Sequence, residues 1–315
     1  MIARLTGSSW VRGLLTAGVL LLLATRIDLR ASLEALLRLT PATGAAVLAL
    51  LAVDRAIMIW RWYSLLRATG TRIALKSAAW IYLVSSFAGS YTALAGDAAR
   101  ALTLAQRNTD GHAAVASVGV DRLMGLISIV AIGLAGAIAG GRTAAEGTPA
   151  LVAMILVMAA VTTLLLFADQ WVRTAVPPAW RSSGAVGRIL RLADAFARYR
   201  GHGSTLAFVF LLSVLVQVLR VLQAYLLGRG IGIDVELAYY LLFMPLGLIA
   251  LMLPISIGGF GAPQGLIVWL LKPRGVPEPD AFALSTLIVL SGIVANLPGA
   301  LLYLRRRPAP RGQSV

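Results

Sequence analysis

Eight stretches of the chain contain no Asp, Glu, Lys or Arg, and they constrain the fold more than any other feature. A helix that spans a bilayer needs ~20 largely apolar residues at ~1.5 Å each. Most of these stretches reach that length alone or with flanking arginines that extend to the interface. The stretches are 13–25, 39–53, 77–96, 123–141, 147–168, 201–219, 237–271 and 281–304. We therefore predict an all-α polytopic membrane protein.

The composition agrees with this class. Hydrophobic residues make up 59% of the chain and charged residues only 13%, whereas soluble domains are about 25% charged. The net charge of +15 is spread between apolar stretches without an aromatic-rich basic platform, so we expect the bilayer and not nucleic acid as partner. Cysteine is absent and the two histidines lack ligand spacing. We expect neither a metal nor a cofactor.

Two stretches do not fit a simple crossing. Residues 237–271 number 35, which would make a helix of about 52 Å, too long for one span, yet the stretch is too short for two spans and a turn. Its midpoint, residues 254–263, reads PISIGGFGAP, and prolines and glycines interrupt a helix. A re-entrant helical hairpin fits this length, and charge counting favours the same interpretation for 77–96.

The basic residues decide between hairpins and full crossings. With two hairpins and a cytoplasmic N-terminus, 20 of the 28 basic residues lie inside, 7 lie outside, and Arg220 lies within a span. Two full crossings instead divide them 13 to 14. Because cytoplasmic loops are rich in Lys and Arg, we predict a protein of the cytoplasmic membrane with both termini inside. The six spans are 10–25, 41–61, 119–140, 148–168, 204–228 and 281–304.

The predicted organisation is one integral membrane domain, residues 1–304, followed by a basic cytoplasmic tail, residues 305–315. The cytoplasmic connector 169–203 is basic and has an amphipathic pattern over 186–200. One hairpin enters from each face, which suggests inverted halves of the kind found in secondary transporters.

Two acidic and basic pairs are candidate substrate-binding residues. Asp97 and Arg100 are three residues apart on the outgoing arm of the first hairpin, so they share a helix face. The alternative is an ordinary helix cap, and we favour the intramembrane site. Asp121 and Arg122 open the third span, and position alone favours an interfacial anchor for them.

Arg220 lies near the middle of its span, with Gln217 and Gln223 one turn away on either side. An arginine at that depth costs about 3 kcal/mol on insertion scales, and its guanidinium matches phosphate. A phosphate site and a salt bridge to Asp97 or Asp121 both remain open for this residue.

The second hairpin supplies three further candidates. Pro263 suits the first turn of the outgoing arm, so the backbone N–H groups near Gly259, Gly261 and Gln264 would face a cavity and favour anions. The alternative is a structural turn whose glycines allow close packing. Asn296, before Pro298, is adequately explained by a helix kink.

Four motifs give the chain a resemblance to a known family. They are GDAAR at 96–100, SVGVDRLMGL at 117–126, PISIGGFG at 254–261 and LPGALLY at 297–303. Together they resemble the flippase-like integral membrane domain of lysylphosphatidylglycerol synthases. The resemblance implies a microbial membrane protein that moves lipids across the bilayer, with relatives linked to aminoacylated phosphatidylglycerol, polyprenyl-linked sugars and hopanoid-type lipids.

The chain departs from the family pattern at two places. The family commonly has Pro-Gly before Gly-Gly-Asp-x-x-Arg, whereas residues 92–97 read TALAGD. An acidic residue usually stands where this chain has Gln264, so the protonatable group that proton coupling would use is missing at that position. Only residues 305–315 follow the last span, and we do not expect this chain to synthesise lysyl lipid.

Three functions remain in view. The first is a translocator whose arginines 100, 122 and 220 bind a phosphate-containing headgroup, or a polyprenyl-phosphate-linked one, while Asp97 and Asp121 balance charge. The second is a non-catalytic accessory or scaffold protein that binds envelope enzymes through its basic cytoplasmic face. The third is a membrane transferase, which would need a pair of carboxylates close enough to share metal ions.

Overall fold

The structure is a computed structural model that describes residues 37–90, 93–107, 110–139, 167–177, 184–252 and 262–305, with a few isolated residues. Its regular elements within these ranges are all helices, joined by short turns. The α-helices are α1 Pro41–Ala68, α2 Leu75–Ala88, α3 Ala93–Ala105, α4 Gly111–Ala139, α5 Gly184–Ala197, α6 Gly203–Gly230, α7 Leu237–Met252, α8 Ala262–Leu271 and α9 Glu278–Leu304. The predicted all-α class is confirmed.

Four of these helices, α1, α4, α6 and α9, are apolar and have 27 to 29 residues, enough to cross a membrane. They correspond to four of the six predicted spans. The helices are longer than predicted: α4 begins at Gly111 and not at 119, and α1 ends at Ala68 and not at 61. The span 10–25 lies outside the described residues, and 148–168 lies almost wholly outside them.

The chain marks where α1 and α9 begin. The Thr40 side chain accepts a hydrogen bond from the backbone N–H of Thr43 at 3.2 Å, and Pro41 occupies the first helical position of α1. Both features stabilise a helix start. Glu278 and Asp280 lie in the first turn of α9, where negative charge is favourable.

Helices α1 and α6 pack side by side in opposite directions. Gly230, at the end of α6, lies against Leu39 and Thr43 at the start of α1. At the other end of the pair, Arg67 of α1 and Ser204 of α6 line one cleft. Because α2 follows α1 and α7 follows α6, the helix pairs α2–α3 and α7–α8 begin at opposite ends of the bundle.

The two halves of the bundle, α1–α4 and α6–α9, share one packing scheme. Helix α2 packs on α9 of the other half, and α7 packs on α4. At the first crossing Gly299 meets the backbone of Leu83, and at the second Gly136 meets the backbone of Leu241. A Cβ at either glycine would overlap that backbone, so both close approaches depend on the missing side chain.

The two stretches predicted to be hairpins, 77–96 and 237–271, each form a pair of helices. In the first, α2 ends at Ala88, α3 starts at Ala93, and α3 continues to Ala105, beyond the predicted limit of 96. In the second, α7 ends at Met252 and α8 starts at Ala262, so Pro263 is in the first turn as predicted. Gly259 and Gly261 lie outside the described residues.

The predicted amphipathic helix of the connector corresponds to α5. Its Phe196 and Leu190 are buried, and Phe196 lies against Gly119 of α4. Ile189 remains exposed. Most of the apolar face of α5 therefore packs on the protein.

Candidate anion site

Five charged side chains meet where α1, α3 and α4 come together, and we call them the ion cluster. Its members alternate in sign along a chain of contacts: Arg61, Asp121, Arg100, Asp97 and Arg122. The three arginines and two aspartates give the cluster a formal charge of +1.

Asp121 is at the buried end of the ion cluster, with 2% of its side chain exposed. Its Oδ1 accepts a hydrogen bond from Arg61 Nε at 2.8 Å, and its Oδ2 accepts one from Arg100 Nη1 at 2.9 Å. Arg61 Nη1 also donates to Ser213 Oγ of α6 at 3.0 Å. Both carboxylate oxygens are thus satisfied by guanidinium groups, which is what a buried charge requires.

Asp97 is at the more open end. Its Oδ1 accepts from Arg100 Nη2 at 3.2 Å, and its Oδ2 accepts from Arg122 Nε at 2.6 Å. The exposed fraction of the side chains falls along the cluster, from 34% for Arg122 and 19% for Asp97 to 7% for Arg100. The ion cluster therefore leads from a partly open surface to the interior.

Aromatic rings hold Arg100 in place. Its guanidinium carbon is 4.6 Å from the centroid of the Tyr82 ring and 5.5 Å from that of Trp62. Contacts of this kind stabilise a cation by ~1–2 kcal/mol when they are desolvated. The backbones at Gly96 and Gly89 also approach closely, which fixes the start of α3 just before Asp97.

A separate ion pair, outside the ion cluster, joins the two halves. Arg220 Nε of α6 donates to Asp54 Oδ1 of α1 at 3.0 Å, and only 4% of the Asp54 side chain is exposed. Arg55 Nε lies 3.8 Å from Asp54 Oδ2. This group again has more positive than negative charge.

One face of α6 carries polar groups between these sites. Ser213 contacts the ion cluster, and Gln217 Nε2 donates to Ser128 Oγ of α4 at 3.3 Å. Gln223 donates to Ser291 of α9. Ser213, Gln217 and Gln223 are buried and recur every three to four residues with Arg220, so they form a continuous polar stripe.

The structure brings four predicted residues together in the ion cluster: Asp97, Arg100, Asp121 and Arg122. The shared helix face of Asp97 and Arg100 is confirmed by their ion pair. The interfacial-anchor interpretation of Asp121 is wrong, because this carboxylate is buried among two guanidinium groups. Asp121 lies about three turns inside α4, since that helix starts eight residues earlier than predicted.

Other predicted residues lie elsewhere. Arg220 forms an interhelical salt bridge, as one alternative held, but the proposed partners were wrong: the carboxylate is Asp54. Gln264 is buried in the first turn of α8, apart from the contacts of the ion cluster. Asn296 of α9 donates to Ser90 Oγ at 2.9 Å, so this side chain connects α9 to the tip of the α2–α3 pair.

Sequence reasoning missed Arg61 and Asp54. The predicted span 41–61 contains both residues, but neither was proposed as part of the site, and both are buried within α1. A signal was present, because Asp54 and Arg61 are seven residues apart and so share one face of a helix.

A comparison with family models supports the assignment suggested by the motifs. The model described as the lysylphosphatidylglycerol synthase TM region matches residues 9–299, which include every helix described above except the end of α9. No curated protein gives a significant match to the chain. The chain belongs to the family defined by the transmembrane region of lysylphosphatidylglycerol synthase.

Proposed function

We propose that this protein translocates a lipid with a phosphate-containing headgroup across the cytoplasmic membrane, and that the ion cluster binds the headgroup. The substrate class includes anionic phospholipids and polyprenyl-phosphate-linked lipids. The observation that carries the proposal is the ion cluster itself, with three arginines and two aspartates between apolar helices. Intramembrane ionisable groups are usually functional, because burying them is costly.

The cluster is chemically suited to exchange partners. A guanidinium donates paired hydrogen bonds to a carboxylate and to a phosphate with similar geometry. A phosphate that reaches Arg122 can replace Asp97, and Arg100 can then exchange in the same way. Because the carboxylates stay nearby, the arginines keep a partner when the site is empty, which avoids an unpaired buried cation.

The polar stripe of α6 extends the proposed path of the headgroup beyond the ion cluster. From Ser213 to Gln223 the helix rises about 15 Å, half of a ~30 Å hydrocarbon core. Arg220 and Asp54 lie within this interval and form the next ion pair with a surplus of positive charge. A headgroup would thus pass from the ion cluster to Arg220 along hydrogen-bonding side chains, while its acyl chains remain in lipid.

We further propose that α2–α3 and α7–α8 are re-entrant hairpins from opposite membrane faces. Helices of 14 and 13 residues reach only about 20 Å, less than the hydrocarbon core. The contact of Ser90 with Asn296 supports this arrangement, since Asn296 lies about two turns before the end of α9. The uneven division of basic residues supports a cytoplasmic location for the first hairpin and for both termini.

The two other functions draw less support from the described residues. A scaffold would use basic groups on the connector, and two of these are already paired, Arg173 with Asp194 and Arg200 with Asp169. A two-metal transferase site needs carboxylates with room for cations between them. Asp97 and Asp121 are close enough to share Arg100, but its guanidinium occupies the space between them and repels a dication.

Reconstitution tests the proposal directly. The full chain is placed in vesicles with fluorescent phosphatidylglycerol, and reduction of the outer label by dithionite follows the exchange between leaflets. We expect faster exchange than in empty vesicles. Arg100→Gln and Arg220→Gln should each slow it about tenfold or more, because a hydrogen bond to a charged group contributes ~1.5–3 kcal/mol.

Arg229→Gln is the matched control, since Arg229 is also on α6 but pairs with Asp234 at the exposed end. Its exchange rate should equal that of the wild type. Wild-type exchange no faster than in empty vesicles, or equal rates for the Arg100, Arg220 and Arg229 variants, contradicts the proposal.

A further inference from the structure

A cleft of about 500 Å³ lies between the end of α1 and the start of α6, and we call it the α1–α6 groove. It is about the size of a typical small-molecule site. None of the described residues that line the groove is acidic. Its lining combines aromatic, hydroxyl and basic groups: Trp60, Tyr63, Ser64, Arg67, Ala68, Ser204, Thr205 and Phe208.

The groove is separate from the ion cluster. Arg61 points into the bundle and is buried, whereas the adjacent Trp60 is 46% exposed. Leu65 and Val209 are fully buried and lie along α1 and α6 between the groove residues and the Arg61–Ser213 hydrogen bond. A ligand in the groove therefore does not touch the ion cluster.

Arg67 supplies a positive charge that none of the described residues neutralises. It is exposed, and within the described ranges its guanidinium forms no ion pair or hydrogen bond. Ser204 and Thr205 line the same cleft, and their hydroxyls likewise have no side-chain hydrogen bond among the described residues. An arginine flanked by hydroxyl groups is a suitable set of donors for a phosphate.

The aromatic groups place this phosphate site at membrane depth. Trp60 and Phe208 are both more than 40% exposed. Trp60 lies about two turns before the end of α1, and Phe208 lies in the second turn of α6; both helices are long enough to span a membrane. Tryptophan and tyrosine prefer the level of the lipid headgroups, where an arginine at the end of a span extends its charge into the interface. The groove thus offers apolar walls on the side of the hydrocarbon core and a cation on the side of the headgroups.

We infer that the α1–α6 groove is a docking site for an anionic phospholipid of the adjacent leaflet. Arg67, Ser204 and Thr205 bind the phosphate, while Trp60, Tyr63 and Phe208 pack against the glycerol backbone and the first acyl carbons. The charge of Arg67 selects an anionic lipid over a zwitterionic one. The inference does not depend on translocation, because a lipid can occupy this site whether or not the protein moves it.

The test measures lipid binding to the purified, delipidated full chain by native mass spectrometry. Phosphatidylglycerol and phosphatidylcholine with identical acyl chains are titrated separately. We expect tighter binding of phosphatidylglycerol, and Arg67→Gln should weaken it about fivefold, since one basic group near an anionic surface contributes ~1 kcal/mol. Photoactivatable phosphatidylglycerol should label the peptides that contain Trp60 and Phe208, also in vesicles where no exchange occurs.

Arg72→Gln is the matched control. Arg72 is exposed in the turn after α1 and does not line the groove, so its loss should change binding less than twofold. Both arginines are exposed, and thermal unfolding of each variant should match the wild type. Equal affinity for the two lipids, equal losses in both variants, or labelling only elsewhere overturns the inference. Displacement of the lipid by excess inorganic phosphate, but not by chloride, also overturns it, because the site would then take the free anion.

Discussion

The two halves of the bundle share a packing scheme but differ in the chemistry of their interiors. In α1–α4 the buried polar groups include Asp54, Arg61, Arg100 and Asp121. In the described part of α6–α9 the buried polar side chains are uncharged, namely Ser213, Gln217, Gln223, Gln264, Ser285, Thr286 and Ser291. Arg220, near the middle of α6, pairs with Asp54 of the first half.

The difference shows that the scaffold does not require charges. Gln223 and Ser291 join α6 to α9 with a neutral hydrogen bond, where Arg61 and Asp121 join α1 to α4 with an ion pair. A buried ion pair is often no more stable than a neutral replacement. This difference supports the proposal that the charges of the first half serve ligand binding.

The largest effect should come from removing Asp121. Asp121→Ala leaves Arg61 and Arg100 buried with one fewer carboxylate, which typically costs about 3–5 kcal/mol. Thermal and denaturant unfolding in detergent should show a large loss. Ser291→Ala, in the second half, removes only a neutral partner and should cost ~1 kcal/mol.

A double variant sharpens this comparison. Arg61→Gln with Asp121→Asn keeps the formal charge of the cluster but replaces one ion pair with neutral groups like those of the second half. We expect most of the stability to return and lipid exchange to stay slow. Recovery of both properties together would show that the charges serve the fold alone.

The next largest effect tests whether the two close helix crossings, α2 on α9 and α7 on α4, are equivalent. Gly299→Ala and Gly136→Ala each place a methyl group against backbone of the opposite half, and overpacking of this kind costs ~1–3 kcal/mol. Both variants should lower the melting temperature by similar amounts. Gly292→Ala is the control, because a Cβ there meets open space, and it should be neutral or slightly stabilising. A loss in only one of the first two variants breaks the proposed equivalence.

The smallest effect concerns the connector, whose Tyr199 is buried beside Leu65 of α1 and Val209 of α6. Burial raises the pKa of Tyr199 to about 12, so the folded protein holds the phenol proton more tightly than the unfolded chain does. Its contribution to stability is complete below pH ~10 and falls as the pH rises towards ~12, by about 1 kcal/mol near pH ~11.

Thermal unfolding of the wild type and Tyr199→Phe across this range measures the difference, in which the ionisation of other tyrosines cancels. We expect the wild type to lose stability relative to Tyr199→Phe as the pH rises. Parallel curves would contradict the burial of the Tyr199 phenol between α1 and α6.

The sequence predicted the helices better than the site. Charge-free length is a direct requirement of the bilayer, so α1, α4, α6 and α9 were found, and Pro263 marked the start of α8. Asp121 was harder, because a carboxylate at the end of an apolar stretch has the same pattern whether it lies at the interface or inside. Its burial depends on Arg61 and Arg100, which are far away in sequence and meet it only in the fold.

Arg61 and Asp54 were missed for a related reason. Charge counting assigns each residue to a side of the membrane but carries no information on depth. The turn after α1 comes seven residues later than predicted, and this shift moves Arg61 from the end of the predicted span to a position inside the helix. The partner of Arg220 could not be predicted because the antiparallel register of α1 and α6 is set by long-range packing.

The contact between Leu83 and Gly299 also has a consequence for the order of synthesis. These residues are 216 positions apart, so at ~5–20 residues per second the ribosome needs about 10–40 s between them. During that time α2 lacks the helix on which it packs, and Ser90 lacks Asn296. The helices that hold the ion cluster, α1, α3 and α4, are made within the first 139 residues and can pair their charges without waiting. Early pairing of these charges would keep the unfinished half in the membrane until α9 arrives.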